Sequence, residues 1–356
     1  MGSIECLVYQ GSLPDSFFKI PDEIYKGLTV SPAEDRTLIT ALFKMEAEKN
    51  EIVIYTDHQH IRLAGIFPAN KEEAYFGFWE AVDDQVLNFE AFSMLERDAR
   101  ERKRKNITGP VNFNTYNRYR VRTGHIPTWN RFENEPVNPV YYPSLLTQVN
   151  YKEKLAFQSR LISKDSVPKL YADYATLMDE QSKIPFEIIP LNEQSWICYE
   201  KQMFELVEII FNQNPFYKAV SFEQFSLLYN RKFIRSICPY SSVILKDRIS
   251  GRLAAMSIGY PDYQSLPVSA SGRDFNRDFP LLEKKRLLGK TVGVHPDFRR
   301  QGLMNYLCTH AMRAVSQYYE EIIFCLMRSD NYSVHFTDHT PYESVKYILY
   351  TKELTS

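Results

Sequence analysis

The feature that most constrains this chain is the stretch LLGKTVGVHPDFRRQGLMNYLCTHAMRAVSQY, residues 287–318. Strand-forming residues run to Val294, and Pro296 ends the strand because it has no N–H for a ladder. Arg299 to Met304 then form a tight loop. Beyond it Leu303, Leu307, Ala311, Ala314, Val315 and Tyr318 recur at three- and four-residue steps, which predicts a helix with one face on a sheet. A loop at that junction presents unpaired backbone N–H groups and the positive end of the helix dipole, a ready anion site. The chain has only 13 glycines in 356 residues. Gly302 lets the backbone approach an anion closely, and Arg299 and Arg300 add positive charge. The pattern predicts a pyrophosphate cradle, although a bare R-x-x-G also fits a helix that merely begins with these residues.

A length of 356 residues is long for one core and predicts two domains. With 44% hydrophobic and 24% charged residues the composition is that of a globular protein. It contains no membrane-length apolar run and no basic-then-apolar leader, so a cytoplasmic protein with no membrane partner is expected. The five cysteines, Cys6, Cys198, Cys238, Cys308 and Cys325, are widely spaced and form no C-x-x-C pair, which suggests neither disulfides nor zinc. A net charge of −1 argues against a nucleic-acid partner. The 24 tyrosines and 23 phenylalanines suit either an organic-ligand pocket or core filling.

Along the chain, 51–69 reads as two strands around a hairpin tip at Thr56–Gln59, 72–82 as a strand and 86–105 as a helix with a basic last turn. Residues 106–114 follow as strand and loop. The second half reads as a strand at 185–191, helices at 196–214 and 221–234, and strands at 241–247, 251–262 and 287–294. After the helix that follows the cradle come strands at 320–331 and 344–354. Strand, loop, helix, strand at 72–114 echoes 287–331, which predicts two copies of one α+β unit. The expected division is a first domain over 1–165, a linker helix over 166–182 and a second domain over 183–356.

The segment VHPDFRRQGL resembles the acyl-CoA-binding motif of GNAT-type N-acyltransferases, a V-x-P strand end followed by (R/Q)-x-x-G-x-(G/A). Arg299 and Gly302 match its first and fourth positions. Met304 stands at a position that is usually small, and Arg300 where glycine is common. The whole chain looks like bacterial tandem-GNAT proteins. The resemblance implies an α+β fold of two tandem GNAT-like domains, each a mixed, mostly antiparallel sheet flanked by helices. It implies acyl-CoA, most simply acetyl-CoA, as co-substrate, held by Gly293, Val294, Arg299, Arg300, Gln301, Gly302, Leu303, Met304, Asn331 and Ser333, with no metal. The acyl group would pass to an amine of a small molecule by direct attack, with backbone N–H groups at Gly293 or Val294 stabilising the oxyanion. Many relatives place a glutamate on the strand before the cradle, but LLGKTVGV holds no carboxylate. Tyr342 and Tyr332 are the nearest candidates for the acid that reprotonates the thiolate. Three other readings stay open: a donor on the phosphopantetheine of an acyl carrier protein, an aminoacyl-tRNA-dependent transferase of the peptidoglycan type, and a non-catalytic module that binds CoA or a partner.

In the first copy the cradle position reads EAVDDQVLNFEAF, with Asp83 and Asp84 at the helix start. Two carboxylates suit the helix dipole but repel a pyrophosphate, so this copy is expected not to bind CoA and instead to complete the acceptor pocket or brace the second domain. His335 and His339 are spaced i,i+4 without the glutamate or cysteines of a metal motif. The run RDARERKRK, 97–105, fits RNA or CoA phosphates, or more plainly a cationic helix end. Tyr116, Tyr119, Tyr141 and Tyr142, with Arg118 and Arg120 among them, suit an acceptor pocket or core packing.

Overall fold

A computed structural model describes residues 3–28, 34–168, 184–212, 214, 217, 219–267, 269 and 271–354. Residues 169–182 of the expected linker helix lie outside them. The chain divides into two compact units, Met1–Phe157 with Val345–Ser356 (unit 1) and Gln158–Ser344 (unit 2). The division is not sequential. The C-terminal residues 345–356, assigned from sequence to the second domain, pack in unit 1 because their strand finds its ladder partners there.

Unit 1 contains, in chain order, β1 (Glu5–Val8), α1 (Ser16–Ile24), α2 (Arg36–Glu46), β2 (Asn50–Thr56), β3 (Ile61–Pro68), β4 (Glu73–Ala81), α3 (Gln85–Glu101), β5 (Asn106–Gly109), β6 (Val121–Thr123), α4 (Tyr142–Gln148) and the first part of β7 (Lys152–Ser163). Residues 1–50 gave no reading in the sequence, and they supply β1, α1 and α2. Alternation along β2 divides its apolar residues between two faces. Val53 and Tyr55 join the core under α3 and α4, while Ile52 and Ile54 join Phe17 and Phe43 under α1 and α2.

Unit 2 continues with β8 (Phe186–Pro190), α5 (Glu193–Phe211), α6 (Phe222–Leu228), α7 (Arg231–Ser236), β9 (Val243–Asp247), β10 (Leu253–Pro261), α8 (Phe275–Asp278), β11 (Arg286–Val294), α9 (Leu303–Tyr318) and β12 (Glu321–Arg328); β13 (Glu343–Glu353) then returns to unit 1. The helix expected over 221–234 is two helices. Asn230 breaks it, its side chain accepting from the N–H groups of Lys232 (2.8 Å) and Phe233 (3.3 Å) and capping α7. The sheet runs β8-β9-β10-β11-β12. Met203, Leu206 and Val207 of α5 pack on Met256 and Ile258 on one face, and Leu303 and Leu307 of α9 pack on Leu245 and Ala255 on the other. Tyr318, expected to face the sheet, is instead 39% exposed and stacks on Tyr240 at 4.1 Å.

Both units hold the same local device, a parallel strand pair joined by a crossover helix: β4–α3–β5 and β11–α9–β12. Among the described residues, the pairs β1–β2, β2–β3, β3–β4, β8–β9, β9–β10, β10–β11, β5–β13 and β6–β13 are antiparallel.

Candidate functional site

The parallel pair of unit 2 is registered only from Arg286–Glu321 to Gly289–Phe324. Its closed end is clamped by Arg286, which bonds Glu321 at 2.5 Å and Asp262 at 3.0 Å. Beyond Gly289 the two strands part. On β11 the register with β10 slips between Ile258 and Gly259, leaving Lys290 as the extra residue of a bulge. On β12, Leu326 takes a φ of 55°, and its N–H donates to Ser159 Oγ at 3.0 Å.

Past the bulge, the direction of each N–H on β11 follows from one bond. His295 N–H donates to Ala254 O at 2.8 Å, so in an antiparallel ladder His295 and Gly293 address β10 while Val294 and Val292 address the opening. Of the two expected backbone donors, the geometry gives the outward role to Val294. Gly293 has a different reason to be glycine: a Cβ there would meet Ile210 Cγ2 of α5 at 2.7 Å.

The strand leads into the loop before α9. His295 N-caps a 3-10 turn (Pro296–Phe298), its Nδ1 accepting from the Asp297 N–H at 3.1 Å. Arg252 braces the turn from outside, reaching Asp297 Oδ2 at 2.8 Å and His295 Nε2 at 3.1 Å. Burial and the nearby cations Arg252 and Arg299, opposed by Asp297, hold His295 below the usual imidazole range, which keeps it a neutral acceptor. Arg299 is extended, Arg300 has a φ of 65°, and Gly302 has a φ of 72° as N-cap of α9. Arg299, Arg300, Gln301 and Gly302 are all exposed, and the space around a Cβ at Gly302 is open. Among the described residues, the N–H groups of Arg300, Gln301, Gly302, Leu303 and Met304 find no intramolecular acceptor. The first turn of α9 and the loop before it thus offer a set of free donors beside two exposed arginines.

At the far side of the opening, Asn331 caps a 3-10 turn (Tyr332–Thr337) that includes Ser333. Arg160, 6% exposed, ties this turn down, donating to Val334 O (2.7 Å), Thr337 Oγ1 (2.7 Å) and Asp338 Oδ1 (2.8 Å). Its guanidinium lies 4.2 Å over the ring of Tyr342, which is 41% exposed. The side chain of Tyr332 lies outside the described residues. His335 pairs with Asp338 at 2.7 Å, and no three His, Cys, Asp or Glu side chains gather among the described residues.

No family model and no curated protein matches the sequence. Solved structures do match the fold. One is a tandem GNAT protein from the clavulanic acid biosynthesis pathway, at a TM-score of 0.53 and 10% identity over 99% of each chain. Another is a probable N-acyltransferase from Enterococcus faecalis (TM-score 0.52, 8% identity, 99% of this chain and 73% of that one). A third is the GCN5-related glucosamine N-acetyltransferase region of a fungal multi-domain beta-N-acetylglucosaminidase (0.51, 11% identity, 99% and 38%). The chain has the fold of the GCN5-related N-acetyltransferases.

Within that GNAT fold the parallel pair of unit 1 is built differently. Its strands are registered only from Glu73–Asn106 to Tyr75–Thr108, after which the chain itself fills the gap. Val111 N–H bonds Phe76 O at 2.8 Å, and Asn112 Oδ1 accepts the Phe78 N–H at 2.7 Å. A Cβ on Gly77 would meet Val111 O at 2.3 Å. At the start of α3, Asp84 Oδ1 accepts from Val86 N (2.9 Å) and Leu87 N (3.0 Å), so the donors left open in α9 are occupied here. Several cations of the basic run at the end of α3 are paired locally. Arg100 pairs with Glu96 (3.5 Å), Arg102 with Glu51 (2.5 Å) and Lys105 with Glu72 (2.7 Å). Arg118, Tyr119, Arg120 and Tyr142 do line a cleft, and it lies within unit 1.

Sequence reasoning did not find Lys290, Arg252 or Arg160. Bulge position and side-chain reach across 40 to 180 residues leave no local periodic signal; only the extra lysine in a strand otherwise rich in small and β-branched residues hints at the first.

Proposed function

We propose that the chain is an N-acyltransferase that takes its acyl group from acyl-CoA, most simply acetyl-CoA, and passes it to an amine of a small molecule. The observation that carries this reading is the open left-handed loop at Arg300–Gly302, joined directly to a strand whose Val294 N–H faces the parted sheet. The loop fits a pyrophosphate: five free N–H groups, the helix dipole, and no side chain on Gly302. The Arg299 side chain would meet its charge, with the backbone N–H of Arg300 beside it, and Asn331 and Ser333 would border the thiol end. Bound there, the co-substrate supplies an activated thioester with a good leaving group. Val294 N–H would stabilise the oxyanion that forms on amine attack. Tyr342, or Tyr332, would return a proton to the departing sulfur.

The absence of a carboxylate on β11 favours one second reading, a module that binds the donor without turning it over. Unit 1 would not hold the donor, because its own residues fill the strand gap and Asp84 occupies the helix donors.

The test has two arms. CoA at a hundred times its dissociation constant should stabilise the native state by about 2.7 kcal/mol, seen as a thermal shift that Gly302→Asp abolishes and paired Asp83→Asn, Asp84→Asn leaves intact. A single-turnover assay scanning acyl-CoA donors against pooled amines, reading free thiol, separates enzyme from binder. Equal loss of the shift in both variants would overturn the donor assignment.

A further inference from the structure

The hairpin tip between β2 and β3 of unit 1 places a histidine between a hydroxyl and a carboxylate. His58 meets Ser16 Oγ through Nδ1 at 2.8 Å and Glu5 Oε2 through Nε2 at 3.1 Å. Ser16 begins α1 and Glu5 begins β1, where it lies opposite Thr56 of β2. The two partners stand 42 and 53 residues from His58, and unit 1 alone supplies all three side chains. An ionised carboxylate can only accept, so Glu5 fixes the proton of the neutral imidazole on Nε2. Nδ1 is then the lone pair that accepts the Ser16 O–H. The order is nucleophile, base, orienting carboxylate.

The base is held rigidly. His58 has a left-handed φ of 66°, a conformation that persists where surrounding bonds over-determine it. They do so here. The His58 N–H donates to Thr56 Oγ1 at 2.9 Å, and Asp57 Oδ1 accepts from the N–H groups of Gln59 (3.0 Å), His60 (2.7 Å) and Ile61 (3.0 Å). Asp57 also takes the ring of His60 at 2.7 Å, so the neighbouring imidazole is engaged elsewhere. The nucleophile stands at the first position of α1, which the Asp15 side chain does not cap. Phe17 N–H and Phe18 N–H go to Pro14 O (2.9 Å) and Asp15 O (3.2 Å), whereas among the described residues the Ser16 N–H finds no acceptor. That N–H and the positive end of the helix dipole are the groups that would stabilise an oxyanion on a carbonyl bonded to Ser16 Oγ. Ser16 is half-buried, and the side chains of His58 and Glu5 are 37% and 57% exposed, so a small molecule reaches the hydroxyl from solvent.

We propose that Ser16, His58 and Glu5 form a second catalytic centre, one that hydrolyses small uncharged esters. Ser16 Oγ bonds to the ester carbonyl carbon as its proton passes to His58 Nδ1. The tetrahedral intermediate expels the alcohol, which leaves with that proton, and an acyl group remains on Ser16. Water then attacks the acyl carbon and gives a proton to Nδ1; the carboxylic acid departs, and Ser16 Oγ takes the proton back. Glu5 is a positioning residue, which holds the tautomer and balances the imidazolium charge. Its carboxylate and that of the exposed Asp15 disfavour anionic substrates, and the open surroundings suit a short acyl chain. The assignment does not depend on acyl transfer in unit 2.

The experiment mixes the full chain with p-nitrophenyl acetate and reads p-nitrophenolate. A burst of about one equivalent per chain should precede the steady rate, and mass spectrometry of an acid-quenched digest should place the acetyl group on Ser16. This adduct is read on the unaltered protein and needs no variant. Ser16→Ala should remove the burst, and His58→Gln should slow acylation by about a hundredfold or more, with both variants folded by circular dichroism. Glu5→Gln, which keeps the shape but not the charge, should lower kcat by about tenfold at unchanged KM, a split that a merely structural carboxylate would not produce. The proposal is overturned if the unaltered protein carries no acetyl group on Ser16. It is equally overturned if Ser16→Ala hydrolyses the ester at the unaltered rate, since the three side chains would then only pin β1 and α1 to the hairpin.

Discussion

Arg300 is the one residue of the cradle whose side chain opposes its own backbone, and replacing it by glycine isolates that conflict. Its φ of 65° lies where an L-side chain crowds the following carbonyl, at a penalty of about 1–2 kcal/mol. Glycine removes the penalty but loosens the unfolded chain, which offsets about 0.4–1 kcal/mol. No other contact is lost, because Arg300 is exposed and bonds nothing among the described residues. Arg300→Gly should therefore stabilise unit 2 by about 1 kcal/mol, or about 2–4 °C in its melting midpoint. Arg300→Ala is the control. It deletes the same charge but keeps the Cβ, so it should gain nothing. Urea unfolding of the three proteins followed by circular dichroism, with equal slopes, gives the comparison. For the donor, Arg300→Gly should cost little, because the backbone N–H stays, while Arg299→Ala should weaken CoA by about ten- to a hundredfold through a lost charge-assisted bond of about 1.5–3 kcal/mol. If Arg300→Gly is no more stable than Arg300→Ala, the left-handed loop is wrong. If it harms CoA binding more than Arg299→Ala does, the register of the cradle must be redrawn.

Two further outcomes follow from packing and titration. Gly293→Ala brings a methyl to 2.7 Å from Ile210 Cγ2 and should cost about 1–3 kcal/mol, with Ile210→Val in the same chain recovering part of it; full additivity in the denaturation cycle would show that the two do not touch. Lowering the pH should destabilise unit 2 through two histidines held neutral, His295 by burial and neighbouring arginines and His310 pushed down to about 4 by burial and Arg313. The unfolded chain, with an imidazole pKa near 6.5, binds these protons first, so stability is complete above about pH 6.5 and declines toward pH 4, by roughly 3 kcal/mol for His310. His310→Leu should flatten that part of the melting profile, and an unchanged slope would reject the assignment.

The sequence by itself determined what depends on neighbours along the chain. Proline at 296, glycine at 302 and the apolar spacing from Leu303 to Val315 specify a strand end, a loop and a helix face, and the structure places them so. Asp83 and Asp84 marked a helix start by suiting the helix dipole, and the structure adds that Asp84 accepts from the first N–H groups. Only the tertiary structure decided what those pieces face. The parting of β11 from β12 coincides with a bulge at Lys290 and with the left-handed turn at Leu326, whose N–H donates to Ser159, 167 residues away. That Val294 rather than Gly293 points into the opening follows from the ladder register, and register is a property of two strands. The C-terminal strand belongs to unit 1 for the same reason: its hydrogen-bonding edge is satisfied by β5 and β6, and its own sequence carries no mark of which edge it will meet.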